Sequence, residues 1–139
     1  MKTWVLSLVA VSAFGLASCS PSARRTPTIP FAGKVLLPDG RPAELALVVF
    51  HRVGETSADD PKPHGKVGAD GTYKLTTYDA DDGAPAGDYR VTVELWLAGR
   101  GDEPPANRLN AKYAKPESSG LTAAVGTGPA EIKTIELKR

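Results

Sequence analysis

Beyond residue 30 of this 139-residue chain no stretch sustains the apolar period of a helix. The apolar residues fall instead in strand-length runs cut by Gly, Pro and Asp, and the chain's 14 Gly and 12 Pro supply the punctuation. The clearest run is 88–97, where Tyr89, Val91, Val93 and Leu95 take one face and Arg90, Thr92 and Glu94 the other. That two-residue period belongs to a half-buried strand. Residues 32–37 precede the turn signal Pro38-Asp39-Gly40, and 45–51 centre on Val48, Val49 and Phe50. Runs at 66–69 and 72–77 flank Asp70-Gly71, a strong hairpin signal. Two more, 121–125 and 132–137, are separated by Gly126-Thr127-Gly128-Pro129. Together these runs predict an all-β protein, a seven-stranded antiparallel β-sandwich.

Parity assigns the inward set: Val35, Leu37, Ala46, Val48, Phe50, Tyr73, Leu75, Tyr89, Val91, Val93, Val125, Ile135 and Leu137. Leu45, Leu47 and Val49 are also apolar but have the opposite parity. They are expected to lie beneath the long connection 98–115; left uncovered, they would form a patch for a partner.

Composition removes several function classes. Lys and Arg number 17 against 16 Asp and Glu, a formal net charge of +1, so no basic excess exists to neutralise nucleic-acid phosphates. Disorder is disfavoured, because 41% of residues are hydrophobic and charge is balanced. One Cys excludes an internal disulfide or a thiolate zinc cluster.

That Cys, Cys19, has a context of its own. Lys2 is followed by an uncharged, largely apolar stretch over 4–16, too short to span a bilayer with ease, and then by Leu16-Ala17-Ser18-Cys19. This resembles a bacterial lipobox, which implies a diacylglycerol on the Cys19 sulfur and cleavage before it. Residues 1–18 are then a lipoprotein signal peptide. Residues 19–30, with three Pro and several small polar residues, are a flexible tether, and 31–139 are the domain. Removing 1–18 takes away one charge, that of Lys2, so the mature chain is neutral and is held at the cell envelope by lipid.

The domain carries a second resemblance. Gly33-Lys34-Val35, Asp39-Gly40-Arg41-Pro42 and Ala46-Leu47-Val48-Val49-Phe50-His51 are similar to the opening of carboxypeptidase regulatory-like domains, and Ala69-Asp70-Gly71-Thr72-Tyr73-Lys74-Leu75 resembles their next block. Asp82-Gly83-Ala84-Pro85, Gly87-Asp88-Tyr89-Arg90-Val91 and Lys112-Tyr113-Ala114 resemble a subgroup of short bacterial lipoproteins of unassigned activity. The resemblance spans about 31–138 and implies a prealbumin or transthyretin-like (Ig-like) sandwich. Its motifs are turn and core patterns that speak to fold and hardly to chemistry.

Candidate chemistry is sparse. Asp79, Asp81 and Asp82 form the densest carboxylate cluster and could offer oxygen ligands to calcium, although their spacing breaks the EF-hand pattern. His51 and His64, the two histidines, flank a polar loop and could join an Asp around zinc or iron. No nucleophile motif is present, so no enzyme and no cofactor are expected. Trp96 has outward parity and either contacts a sugar or a protein or caps the sandwich. Ring-in-core placement with the hydroxyl at the edge is expected for Tyr89, and Tyr113 is expected across one end of the sandwich. The expected function is a membrane-anchored interaction or envelope-architecture module with a protein partner, contacts lying in loops 52–65 and 98–113. A metal- or small-ligand-binding lipoprotein is the alternative.

Overall fold

The computed structural model describes residues 25–54, 60–126 and 132–139. Cys19, the apolar stretch 4–16 and most of the turn 126–129 lie outside them. The described chain is all-β: β1 (Thr28–Ile29), β2 (Ala32–Leu36), β3 (Leu47–Arg52), β4 (His64–Lys66), β5 (Thr72–Lys74), β6 (Ala84–Pro85), β7 (Gly87–Glu94), β8 (Trp96–Leu97), β9 (Ala106–Asn107), β10 (Leu121–Val125) and β11 (Lys133–Glu136). One 3-10 turn, Ala111–Ala114, interrupts them.

Four strands in the order β10-β7-β3-β4 make an antiparallel sheet, and β11-β2-β5 make a second; β1-β6 and β8-β9 are separate ribbons. Val48, Phe50, Tyr89, Val91, Val93, Ala123 and Val125 of the first sheet share one core with Val35, Tyr73 and Ile135 of the second, an arrangement consistent with a β-sandwich. Every residue expected to face inward is buried except Leu37, which is half-buried. Period-two alternation explains this, since each strand had one apolar face to hide. All core residues fall between Val35 and Leu137. Tyr89 sends its ring inward and donates its hydroxyl to the Pro85 carbonyl at 2.7 Å.

The smaller sheet is not antiparallel throughout. β11 pairs with β2 in parallel register, Lys133 opposite Gly33 and Glu136 opposite Leu36. β10 ends beside Gly87, at the same end of the sandwich where β2 begins. β11 begins at that same end, Lys133 beside Gly33, and runs in the direction of β2. The Asp70-Gly71 turn likewise joins two sheets, because β4 pairs with β3 and β5 with β2. Gly71 adopts φ +84°, and Asp70 Oδ1 accepts from the Thr72 N–H and hydroxyl, so the turn is fixed by its own residues.

The tether ends earlier than composition suggested. Thr28 and Ile29 pair with Pro85 and Ala84, so residues 25–31 form a strap lying on the fold. Ile29 and Phe31 pack against the core, and Phe31 meets the Phe50 ring edge-on at 5.3 Å. Pro85 lies in this short ribbon, where the N–H it lacks costs a long ladder nothing.

The connection 98–115 does not cover Leu45 and Leu47. It first folds back as β9 against β8, then sends Tyr113 across the sandwich end, where the Tyr113 hydroxyl donates to Lys138 O and accepts from Lys138 N. Val49 is half-buried, whereas Leu45 and Leu47 remain 50% and 42% exposed.

On the outer face of the larger sheet His51 shields Thr92, its Nε2 lying 3.0 Å from the Thr92 hydroxyl. Burial lowers the His51 pKa from its ordinary 6.5, the charge of Lys62 lowers it further, and Glu117 opposes both in part. The unfolded chain therefore binds this proton more readily, and stability falls as pH drops through 6.5 toward the folded value. Tm is expected to fall between pH 7 and pH 5, and His51→Gln is expected to flatten that slope. Parallel slopes for both proteins would refute the assignment.

Candidate functional site

The acidic loop and the strap are one assembly. Asp82 Oδ1 accepts from the Thr77 N–H at 2.7 Å, and Oδ2 accepts from the N–H groups of Tyr78 and Asp79 at 3.0 and 3.1 Å. Thr77 donates its hydroxyl to Gly83 O, closing the loop. What the loop holds is the strap. Arg25 pairs with Asp79 at 2.9 Å and lies over the Tyr78 ring at 5.4 Å, and the Thr26 N–H donates to the Tyr78 hydroxyl. Gly83, at φ +90°, sits where any Cβ would strike the Ile29 carbonyl and Pro30.

The three carboxylates are thus turned to different protein partners. Asp79 faces Arg25, Asp81 faces Lys74 at 3.5 Å, and Asp82 faces the loop's own amides. Among the described residues no three His, Cys, Asp or Glu side chains gather as a metal-ligand set. His64 Nδ1 lies 3.0 Å from Lys62 O, so each histidine also has a local partner. We expect 1 mM calcium or zinc to move Tm by less than about 1 °C, because a ligand that binds only the native state must raise it. A saturable rise of several degrees would restore the metal reading.

For Asp82 burial acts to raise the pKa, but the three backbone donors outweigh it and hold the carboxyl below its ordinary 3.8. Its stabilising effect is full above 3.8 and is lost as pH falls through the folded value. Asp82→Ala leaves those amides to solvent and should cost on the order of 1 kcal/mol. It should also remove the strap-loosening transition expected below about pH 4 in the unmodified chain, followed by proteolysis after Arg25. An unchanged acid transition would contradict this role.

Of the exposed apolar residues, Val53 and Ile132 lie singly near the strap end, Val53 bonded to Asp88 O and Ile132 just before Lys133, while Leu45, Leu47, Trp96 and Leu97 lie at the other end. β7 runs from Gly87, beside the strap, to Glu94, about 25 Å away at strand rise. Leu47 pairs with Glu94 across the ladder, and Trp96 donates its indole N–H to Glu94 Oε2 at 2.7 Å. Trp96 does not cap the sandwich: it is 59% exposed, with its ring orientation fixed by that bond. Leu97 follows it, and Leu45 lies two residues before Leu47 in the Ala43–Ala46 turn.

Leu45 adopts φ +68°, a left-handed conformation that costs a branched residue about 1–2 kcal/mol. Nothing in composition flags Leu45, since a turn at that φ ordinarily selects Gly or Asn. A strained, half-exposed leucine beside Leu47 and an oriented Trp96 makes an apolar row at the far end. Of the two loops expected to make contacts, 98–113 borders this row. The other, 52–65, leaves β3 at Arg52, beside the strap.

Searches of protein-family models, curated proteins and solved structures find no match to this chain.

Proposed function

We propose that this chain is a non-catalytic, lipid-anchored envelope protein whose β-sandwich presents a contact face for a protein partner away from the membrane. The observation that carries the reading is clustering: the strap leaves the fold at one end, where Val53 and Ile132 are exposed singly, and Leu45, Leu47, Trp96 and Leu97 are exposed together at the other. From Cys19 to Arg25 the chain reaches at most about 20 Å. A lipid on Cys19 therefore keeps the strap end near the bilayer and directs the apolar row outward. Sheets of four and three strands joined by a corner-turning hairpin support a transthyretin-like, carboxypeptidase regulatory-like domain. An exposed tryptophan held in one orientation is the residue type enriched at interface centres, and the leucines beside it add apolar area around it.

The anchor is tested by metabolic labelling with an alkyne fatty acid. The unmodified chain should carry the label and pellet with membranes. Cys19→Ala should lose the label and leave the membrane fraction. Label retained by Cys19→Ala would refute the anchor. For the contact face, Leu47→Ser with Trp96→Ala alters exposed groups, so Tm should stay within a few degrees while the partner is lost.

A further inference from the structure

A second feature of the far end is distinct from the apolar row. Between the turn at Leu37 and the segment at Leu109 a groove of about 410 Å³ opens over the Tyr113 ring and Leu137, a size suited to a small ligand. Its floor is apolar and its rim is basic. Arg108, Lys138 and Arg139 line it, and among the described residues none of them forms an ion pair within 4 Å. The rim carboxylate, Asp39, is held by Arg41 at 2.8 Å. Lys112 does not line the groove, but its ammonium lies 4.8 Å from the centre of the Tyr113 ring. Both sides of the Lys138 peptide are bound by the Tyr113 hydroxyl, so the basic side chain leaves a fixed backbone.

We propose that this groove binds a small amphiphilic anion, a single acyl or aromatic body carrying a carboxylate, sulfonate or phosphate. The apolar body lies on Leu37, Leu109 and Tyr113, and the anionic head meets Arg108 and Lys138. Because the groove is remote from the strap, the ligand is a free molecule and not a bilayer headgroup, a choice that rests on the proposed anchor at Cys19.

Anilinonaphthalene sulfonate and its neutral relative phenylnaphthylamine separate the two halves of the site. The test uses the chain from Ser20 onward, which contains every core residue and the whole strap. The sulfonate should bind saturably at one site. Arg108→Ser with Lys138→Ser should raise its Kd at least fivefold and change that of phenylnaphthylamine less than twofold, with Tm preserved. Leu109→Trp, which fills the groove, should remove both probes. Non-saturable sulfonate binding, or an unchanged Kd in the double variant, would overturn the proposal. So would flotation with phosphatidylglycerol vesicles that depends on Arg108 and Lys138.

Discussion

Alanine at position 83 will release the strap while leaving the core folded. The added methyl group would occupy the place of the Ile29 carbonyl, with Pro30 behind it, at a φ of +90° that an L side chain resists. Relief requires either the β1–β6 ribbon to open or the 77–83 loop to shift, and both part Ile29 from Ala84. The steric and conformational costs together should reach about 2–3 kcal/mol, a Tm loss of roughly 8–12 °C for a domain of this size. Trypsin should cut after Arg25 at least tenfold faster, because Asp79 and Tyr78 no longer hold that side chain. Unchanged cleavage and unchanged Tm would show that the strap is not locked at Gly83. If the strap carries the anchor, its release also frees the orientation of the domain.

Phe50→Ala will be the most damaging single truncation in the core. Phe50 is fully buried on β3, with strands on both sides, and its ring contacts those of Phe31 and Tyr89 at 5.3 and 5.5 Å. Removing it leaves a cavity where both sheets and the strap meet, and neither ring can collapse into the space without breaking the strap or the Tyr89 bond to Pro85. Such truncations cost about 3–5 kcal/mol, a large share of a small domain's stability. Denaturant midpoints at constant slope measure the loss. A value below about 1 kcal/mol would mean that the Phe50 environment is looser than the ring contacts imply.

Core membership was legible because it depends on alternation. Val48 and Phe50, or Val91 and Val93, can be buried together only if their neighbours face out. Turn positions were legible at Gly40 and Gly71 for a comparable local reason: Asp39 and Asp70 bond to residues two places on. Pairing partners were not. Whether β11 lies parallel or antiparallel to β2 depends on where the chain crosses between sheets, which no local pattern encodes. The strap was hidden because Thr28 and Ile29 sit between prolines in a polar segment, and their partner strand is itself two residues long. Asp82 read as a metal ligand because a carboxylate that accepts three backbone amides looks the same in sequence as one that binds calcium. Leu45 and Leu47 were misplaced for a related reason. Apolarity predicts burial, and only the route of residues 98–115 leaves them uncovered.

The most direct test places a photo-crosslinking residue in the lipidated chain in living cells, at Leu47 or Leu97 on the apolar row and at Asp81 beside the strap. The anchored contact-module reading predicts one protein adduct shared by positions 47 and 97. That adduct should be absent from position 81 and lost when Cys19 is replaced by Ala. Adducts at position 81 with none at 47 or 97, or the same adducts in the Cys19→Ala chain, would contradict it.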